Sequence, residues 1–148
     1  MADKRRFELF ARHLRESFPA ARRVWDVAGG MGRLNQELTK LGFEPTTFDT
    51  RVKRLPVPYA ERRLTLEEPC ACDLLAGLHP DGATSVIVDY AAKHRVPFAI
   101  VPCCSDNGMS YKPWMRHLAR EATTRGFSVT ESSLEMPGRA RVLTGVPD

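Results

Sequence analysis

One stretch, Val24 to Arg51, constrains this chain more than any other. It reads V-W-D-V-A-G-G-M-G-R-L-N-Q-E-L-T-K-L-G-F-E-P-T-T-F-D-T-R. Val24–Ala28 is short, apolar and bounded by turn formers, the pattern of a buried strand. Gly29, Gly30 and Gly32 follow at once. Arg33–Leu41 then carries Leu34, Leu38 and Leu41 at helical spacing, closed by Gly42. Thr46–Phe48 is a second β-prone run and ends on Asp49. Strand, glycine turn, helix, strand and acid make the first half of a nucleotide-binding α/β unit. Glycine lets a ligand approach the main chain, and the helix start offers free N–H groups and a positive dipole end. Asp49 stands 17 residues after Gly32, close to the roughly 20 of a ribose-binding acid.

The glycine spacing selects the nucleotide. A dinucleotide fingerprint places a third glycine three residues after its second; counted from Gly30 and Gly32 that position is Asn35, which argues against a nicotinamide oxidoreductase. What stands here is acid-x-small-x-Gly-x-Gly, at Asp26, Ala28, Gly30 and Gly32. It resembles the first motif of class I S-adenosylmethionine-dependent methyltransferases, (D/E)-x-G-x-G-x-G, with Ala28 in place of the first glycine. The resemblance implies a Rossmann-like, doubly wound α/β fold. Its sheet would have seven strands, mostly parallel with an antiparallel terminal strand, and helices on both faces. It also implies S-adenosyl-L-methionine as cofactor, contacted by Asp26, Ala28, Gly29, Gly30, Gly32, Asp49, Thr50 and Leu78.

The rest of the chain fits that plan as one domain over 1–148, with an N-terminal helix and basic connection (1–23) before the core (24–148). Asp3–Phe18 reads as a helix with one apolar stripe and Asp3 as its N-cap. Thr50–Ala60 is too proline-rich for a crossover helix. Arg62–Leu66 is the expected third strand. Glu67 or Glu68 after it is either an adenine contact, as the resemblance implies, or a solvated turn. Asp73–Leu78 is the expected fourth strand and Pro80–His94 a helix with Asp81 as candidate cap. Pro97–Val101 is the fifth strand and Pro113–Arg125 a helix. Phe127–Glu131 and Ala140–Val146 are the last two strands.

Ligands in open α/β sheets bind beyond the carboxyl ends of the strands. That rule selects Gly77-Leu78-His79-Pro80-Asp81 and Val101-Pro102-Cys103-Cys104. The pair G-L-H-x-D and P-C-C also resembles, in part, methyltransferase-domain proteins related to tRNA ribose methyltransferases. His79, Asp81 and Cys103 are therefore the catalytic candidates. His79 has the right intrinsic pKa for taking a proton, Asp81 is a base or a cap, and Cys103 is nucleophilic only if its pKa is depressed. The amide-methylating signature (D/N)-P-P-Y is absent; L-H-P-D stands in its place. No metal is expected. Cys70 and Cys72 precede the fourth strand while Cys103 and Cys104 follow the fifth, about 15–20 Å apart, so one tetrahedral zinc cannot collect all four.

No apolar run reaches the roughly 20 residues of a membrane span, and the first residues, M-A-D-K-R-R, do not read as a secretory leader; a cytoplasmic location is expected. The net charge of +4 permits an anionic partner without demanding one. Arg5, Arg6, Arg22, Arg23, Arg51, Lys53 and Arg54 are the candidate contacts to RNA, and a small-molecule acceptor is the other reading. A methyltransferase-like module that binds a nucleotide or a protein without turnover is the competing class. The sequence leaves the oligomeric state open.

Overall fold

A computed structural model describes residues 3–148. Its centre is one seven-stranded sheet in the order β3-β2-β1-β4-β5-β7-β6. The strands are β1 (Arg23–Val27), β2 (Glu44–Asp49), β3 (Tyr59–Glu61), β4 (Leu74–Leu78), β5 (Phe98–Val101), β6 (Phe127–Ser133) and β7 (Arg141–Pro147). The first five run parallel. β7 inserts antiparallel between β5 and β6. The helices are α1 (Arg6–Ser17), α2 (Arg33–Lys40), α3 (Thr84–His94), preceded by a 3₁₀ turn at Asp81–Ala83, and α4 (Tyr111–Thr124).

Side-chain alternation along the strands divides the core into two layers. Val24, Leu74, Ala76, Ala99, Val101 and Val142 face α1 and α2, where Phe10, Leu14, Leu34 and Leu38 bury against them. Trp25, Val27, Leu75, Phe98, Ile100 and Leu143 face the opposite way, against Ile87, Tyr90, Trp114 and Leu118 of α3 and α4. A strand covered on both faces needs apolar residues in continuous runs, as β4 and β5 have. No helix is long and apolar enough to cross a membrane among the described residues.

Three sequence expectations change. The third strand is Tyr59–Glu61, not Arg62–Leu66. Thr47 donates its amide to the Pro58 carbonyl, so the chain is already beside β2 before Tyr59 pairs with Thr47. After Glu61 the chain turns inward and Leu64 drops into the core. Asp3 is not the N-cap of α1; the helix starts at Arg6, and the Asp3 carboxylate closes the preceding turn by accepting the Arg5 amide at 2.8 Å. α4 begins at Tyr111 rather than Pro113, since proline is tolerated within a first helical turn.

Candidate active site

The site lies beyond the carboxyl ends of β1, β2, β4 and β5. At its centre is the turn between β1 and α2. Ala28, Gly30 and Gly32 all have positive φ, at 56°, 61° and 96°. The resemblance's first glycine position therefore does take the left-handed conformation here, with alanine bearing it; such backbone costs on the order of 1–3 kcal/mol. Gly29 is required for a different reason: a Cβ there would fall inside the Asp26 carboxylate. At Gly32 a Cβ would meet Val57 Cγ2 at 2.7 Å.

Asp26 is buried beneath this turn. Its Oδ2 accepts the Thr47 hydroxyl at 2.8 Å, and its Oδ1 has no partner. Burial pushes the Asp26 carboxyl up to about 7; the Thr47 hydrogen bond opposes that rise and the charge of Asp49 adds to it. Asn35, where a dinucleotide turn would have glycine, is fully buried. Its amide donates to Thr47 Oγ1 at 3.1 Å and to the Pro58 carbonyl at 3.0 Å. It thus ties α2 to β2 and to the start of β3.

Asp49, at the end of β2, accepts the Gly30 amide at 2.8 Å and the Thr50 amide at 2.7 Å. Oδ1 also accepts the Arg51 amide at 3.3 Å, so Oδ2, which accepts Gly30 alone, is the oxygen that keeps lone-pair capacity for another donor. The Tyr59 hydroxyl donates to the Gly30 carbonyl at 2.6 Å, so both polar groups of Gly30 are held. Beside Asp49 opens a cavity of about 520 Å³. Val27, Phe48, Leu64 and Val86 form its apolar wall, and Asp49, Thr50, Arg51, Arg63 and Asp81 its polar one. A second chamber of about 260 Å³ shares Ala28, Gly30, Arg51 and Asp81 with it and is completed by Asp26, Gly29, Leu78, His79, Arg6 and Arg33. Glu67 and Glu68 line neither chamber. Glu68 instead makes a bidentate pair with Arg62, at 2.8 Å for each bond, and Arg63 and Leu64 take the wall where an adenine contact was expected.

The catalytic candidates from β4 and β5 are brought together in part. His79 has φ 50° and Asp81 φ 47°, two further left-handed non-glycine residues in the same cleft. The His79 ring donates Nε2–H to the Arg139 carbonyl at 3.0 Å, which leaves Nδ1 as the free acceptor. Asp81 does not cap α3 with its side chain. That role falls to Asp106, whose carboxylate accepts the Ser85 amide and hydroxyl, both at 2.8 Å. Asp81 Oδ1 lies instead 3.7 Å from Cys103 Sγ, and Cys103 Sγ is 3.7 Å from Cys104 Sγ. Burial, Cys104 and Asp81 push the Cys103 thiol up to about 12. At neutral pH Cys103 is therefore a thiol, and the nucleophilic reading of it is withdrawn. Arg139, from the β6–β7 turn, was not foreseen. Its carbonyl holds His79 and its guanidinium donates to the Cys103 carbonyl.

The basic residues do not form one face. Arg22 and Arg23 sit at the amino end of β1, the end away from the cleft. Arg5 pairs with Asp3, Arg22 with Glu44 and Arg54 with Glu61. Of the seven, Arg6 and Arg51 line the cleft.

The chain has the fold of the S-adenosylmethionine-dependent methyltransferases. No family model matches the sequence, and no curated protein matches it. Among solved structures it is similar to the sugar N-methyltransferase KedS8 of a Streptoalloteichus species, at 13% identity, covering 97% of this chain and 87% of that one, with a TM-score of 0.68. It is similar to the magnesium protoporphyrin IX methyltransferase ChlM of Synechocystis, solved with bound S-adenosylmethionine, at 13% identity, 97% and 80% coverage and a TM-score of 0.67. A third is the 1,6-didemethyltoxoflavin-N1-methyltransferase of Burkholderia thailandensis, solved with its substrate and S-adenosylhomocysteine, at 15% identity, 99% and 80% coverage and a TM-score of 0.64.

Proposed function

We propose that this chain binds S-adenosylmethionine in the two-chambered cleft and transfers its methyl group to a small-molecule acceptor. The observation that carries the reading is Asp49. An acid at the end of β2, oriented by the Gly30 amide of the glycine turn and by the Thr50 amide, and beside a cavity of about 520 Å³, can accept a ribose hydroxyl. The apolar wall from Phe48 to Val86 suits an adenine, and the chamber lined by Asp26, Gly29 and His79 suits the methionyl end. The unpartnered Asp26 Oδ1 supports a polar ligand group above the glycine turn.

When bound, this cofactor supplies a methyl group on a positively charged sulfur, open to in-line attack by a lone pair. The chain has to align the acceptor and take its proton. His79 is the residue for the proton, because the Arg139 carbonyl occupies its Nε2 and Nδ1 is the ring nitrogen left to face an acceptor. Small-molecule acceptors are favoured over RNA by the split of the basic residues between the two ends of the sheet. The named substrates of KedS8, ChlM and the toxoflavin enzyme, a sugar, a porphyrin and a toxoflavin precursor, support the same choice.

Calorimetric titration with S-adenosylmethionine and S-adenosylhomocysteine tests the reading. Wild type binds both in the micromolar range, and Asp49→Ala weakens binding by at least about tenfold, the loss of one or two charge-assisted hydrogen bonds. Absence of binding to either ligand would reduce the glycine turn to a structural element and end the enzyme reading. In a transfer assay at saturating cofactor His79→Ala loses turnover while binding of S-adenosylhomocysteine is still measurable; turnover unchanged at saturation would mean another group takes the proton.

A further inference from the structure

We propose that Asp81, Cys103 and Cys104 form a three-ligand site for one thiophilic divalent cation, Zn²⁺ in character, at the rim of the cleft. The three ligand atoms lie within 4.8 Å of one another. Tetrahedral zinc with Zn–S bonds of about 2.3 Å places two sulfurs about 3.8 Å apart, and with Zn–O of about 2.1 Å a sulfur and an oxygen about 3.6 Å apart. The separations here are 3.7 Å for Cys103 Sγ to Cys104 Sγ and 3.7 Å for Cys103 Sγ to Asp81 Oδ1. The ligands are thus already spaced as two edges of such a tetrahedron, before any ion draws them in.

The scaffold holds them so. β4 and β5 pair in parallel register from Leu75–Phe98 to Leu78–Val101, which brings the loop bearing Asp81 alongside the loop bearing the cysteines. The cysteine loop is then pinned twice. Asp106 anchors it to the start of α3 through Ser85, and the Arg139 guanidinium holds the Cys103 carbonyl. Arg139 is directed at a carbonyl and not at Asp81, which has no salt-bridge partner among the described residues. Two sulfurs and one carboxylate oxygen therefore converge on one point with no cationic side chain paired to the carboxylate, the donor set of a thiophilic dication. Soft sulfur donors favour Zn²⁺ over Mg²⁺ or Ca²⁺. This also distinguishes the site from the four-cysteine arrangement that the sequence excludes: Cys70 and Cys72 stay at the far end of the sheet, with Cys72 buried.

Three protein ligands leave a fourth position for water or substrate, as in catalytic rather than structural zinc sites. Asp81 lines both chambers of the cleft. Resting on the methyl-transfer reading, an acceptor thiol or hydroxyl taking that position would be made more acidic by the ion, which would ease passage of its proton to His79. Metal uptake itself does not rest on that reading.

The test is titration of the full chain with Cd²⁺ in a phosphine reductant, read by sulfur-to-cadmium charge-transfer absorption, followed by displacement with Zn²⁺. The exposed Cys70 is removed as Cys70→Ser so that it cannot contribute. That protein takes up one equivalent. Cys103→Ser and Cys104→Ser each weaken uptake more than about 100-fold, beyond what loss of an outer-shell partner does, and Asp81→Asn weakens it about tenfold. No uptake, or uptake unchanged in both cysteine variants, overturns the proposal. Circular dichroism checks the fold of each variant, and Cys104, being exposed, is the substitution that leaves packing intact. S-adenosylhomocysteine is titrated into the same metal-free protein. Its binding without Cd²⁺ uptake overturns the metal site alone; Cd²⁺ uptake without its binding supports the metal site and overturns the cofactor reading.

Discussion

At the scale of single residues, the cleft concentrates features that a stable protein otherwise avoids. Among the described residues, three of the four non-glycine positions with positive φ, Ala28, His79 and Asp81, line it, and so does the buried, half-satisfied Asp26. Strain and unpaired buried groups persist where the surroundings over-determine them, and they cluster at functional sites. Asp26 has a consequence for stability. Its folded pKa, about 7, lies above the ordinary carboxylate value of about 4. Between those values the folded state holds a proton that the unfolded state has lost. This group therefore favours folding fully below pH 4, and that contribution falls away as pH rises to 7, by up to about 4 kcal/mol. Asparagine at 26 removes the titration. In urea unfolding, Asp26→Asn gains on wild type as pH rises from 4 to 7 and holds its advantage above that; a gap independent of pH would mean Asp26 is ionised in the fold.

At the scale of elements, the two helix starts at the cleft are finished differently. α2 has a left-handed glycine, Gly32, at its start and no side-chain cap, which leaves its first amides facing the turn. α3 is capped across the fold by Asp106, 21 residues after Ser85. Asp106→Ala removes that cap and frees the cysteine loop from α3. The expected cost is about 1 kcal/mol, the usual range for a lost cap, measured as a lower urea midpoint with unchanged slope. If stability is unaffected, the loop is not anchored through Asp106. Because the same loop carries Cys103 and Cys104, the variant also reports whether a held loop matters to metal uptake.

For the molecule as a whole, the sheet sorts charge as well as chains. Arg22 and Arg23 lie at one end and Arg6, Arg51 and Lys53 at the other, with Arg5 and Arg54 paired to acids. A single strand of RNA can then engage about three of the seven, not all of them. The log–log slope of affinity against salt should be about −2 rather than about −5, at roughly −0.7 per phosphate. Fluorescence anisotropy of a short unstructured RNA across a salt series measures it. A slope near −5 would mean the basic residues act together and would return RNA to the front as acceptor.

What the sequence determined by itself is the part that chemistry writes locally. Asp26, the glycine turn, Asp49 and the apolar runs of β1, β4 and β5 follow from spacing and periodicity within a few residues, whereas the antiparallel end of the sheet was implied by the resemblance to the methyltransferases. The third strand was misread because Tyr59–Glu61 is short and polar, and pairs only because Pro58 is already fixed beside Thr47. The choice left open at Glu67 and Glu68, and that between cap and base at Asp81, needed the fold for a related reason: neighbours in sequence do not reveal which way a loop turns. Asp106 on Ser85, Arg139 on His79 and Cys103, and the closeness of Asp81 to the cysteine pair join residues 21 to 60 positions apart. Only the parallel pairing of β4 with β5, and the return of the β6–β7 turn over them, brings those groups within bonding distance. Local pattern carries no information about which loops a sheet will set side by side, and the tertiary structure alone decided it.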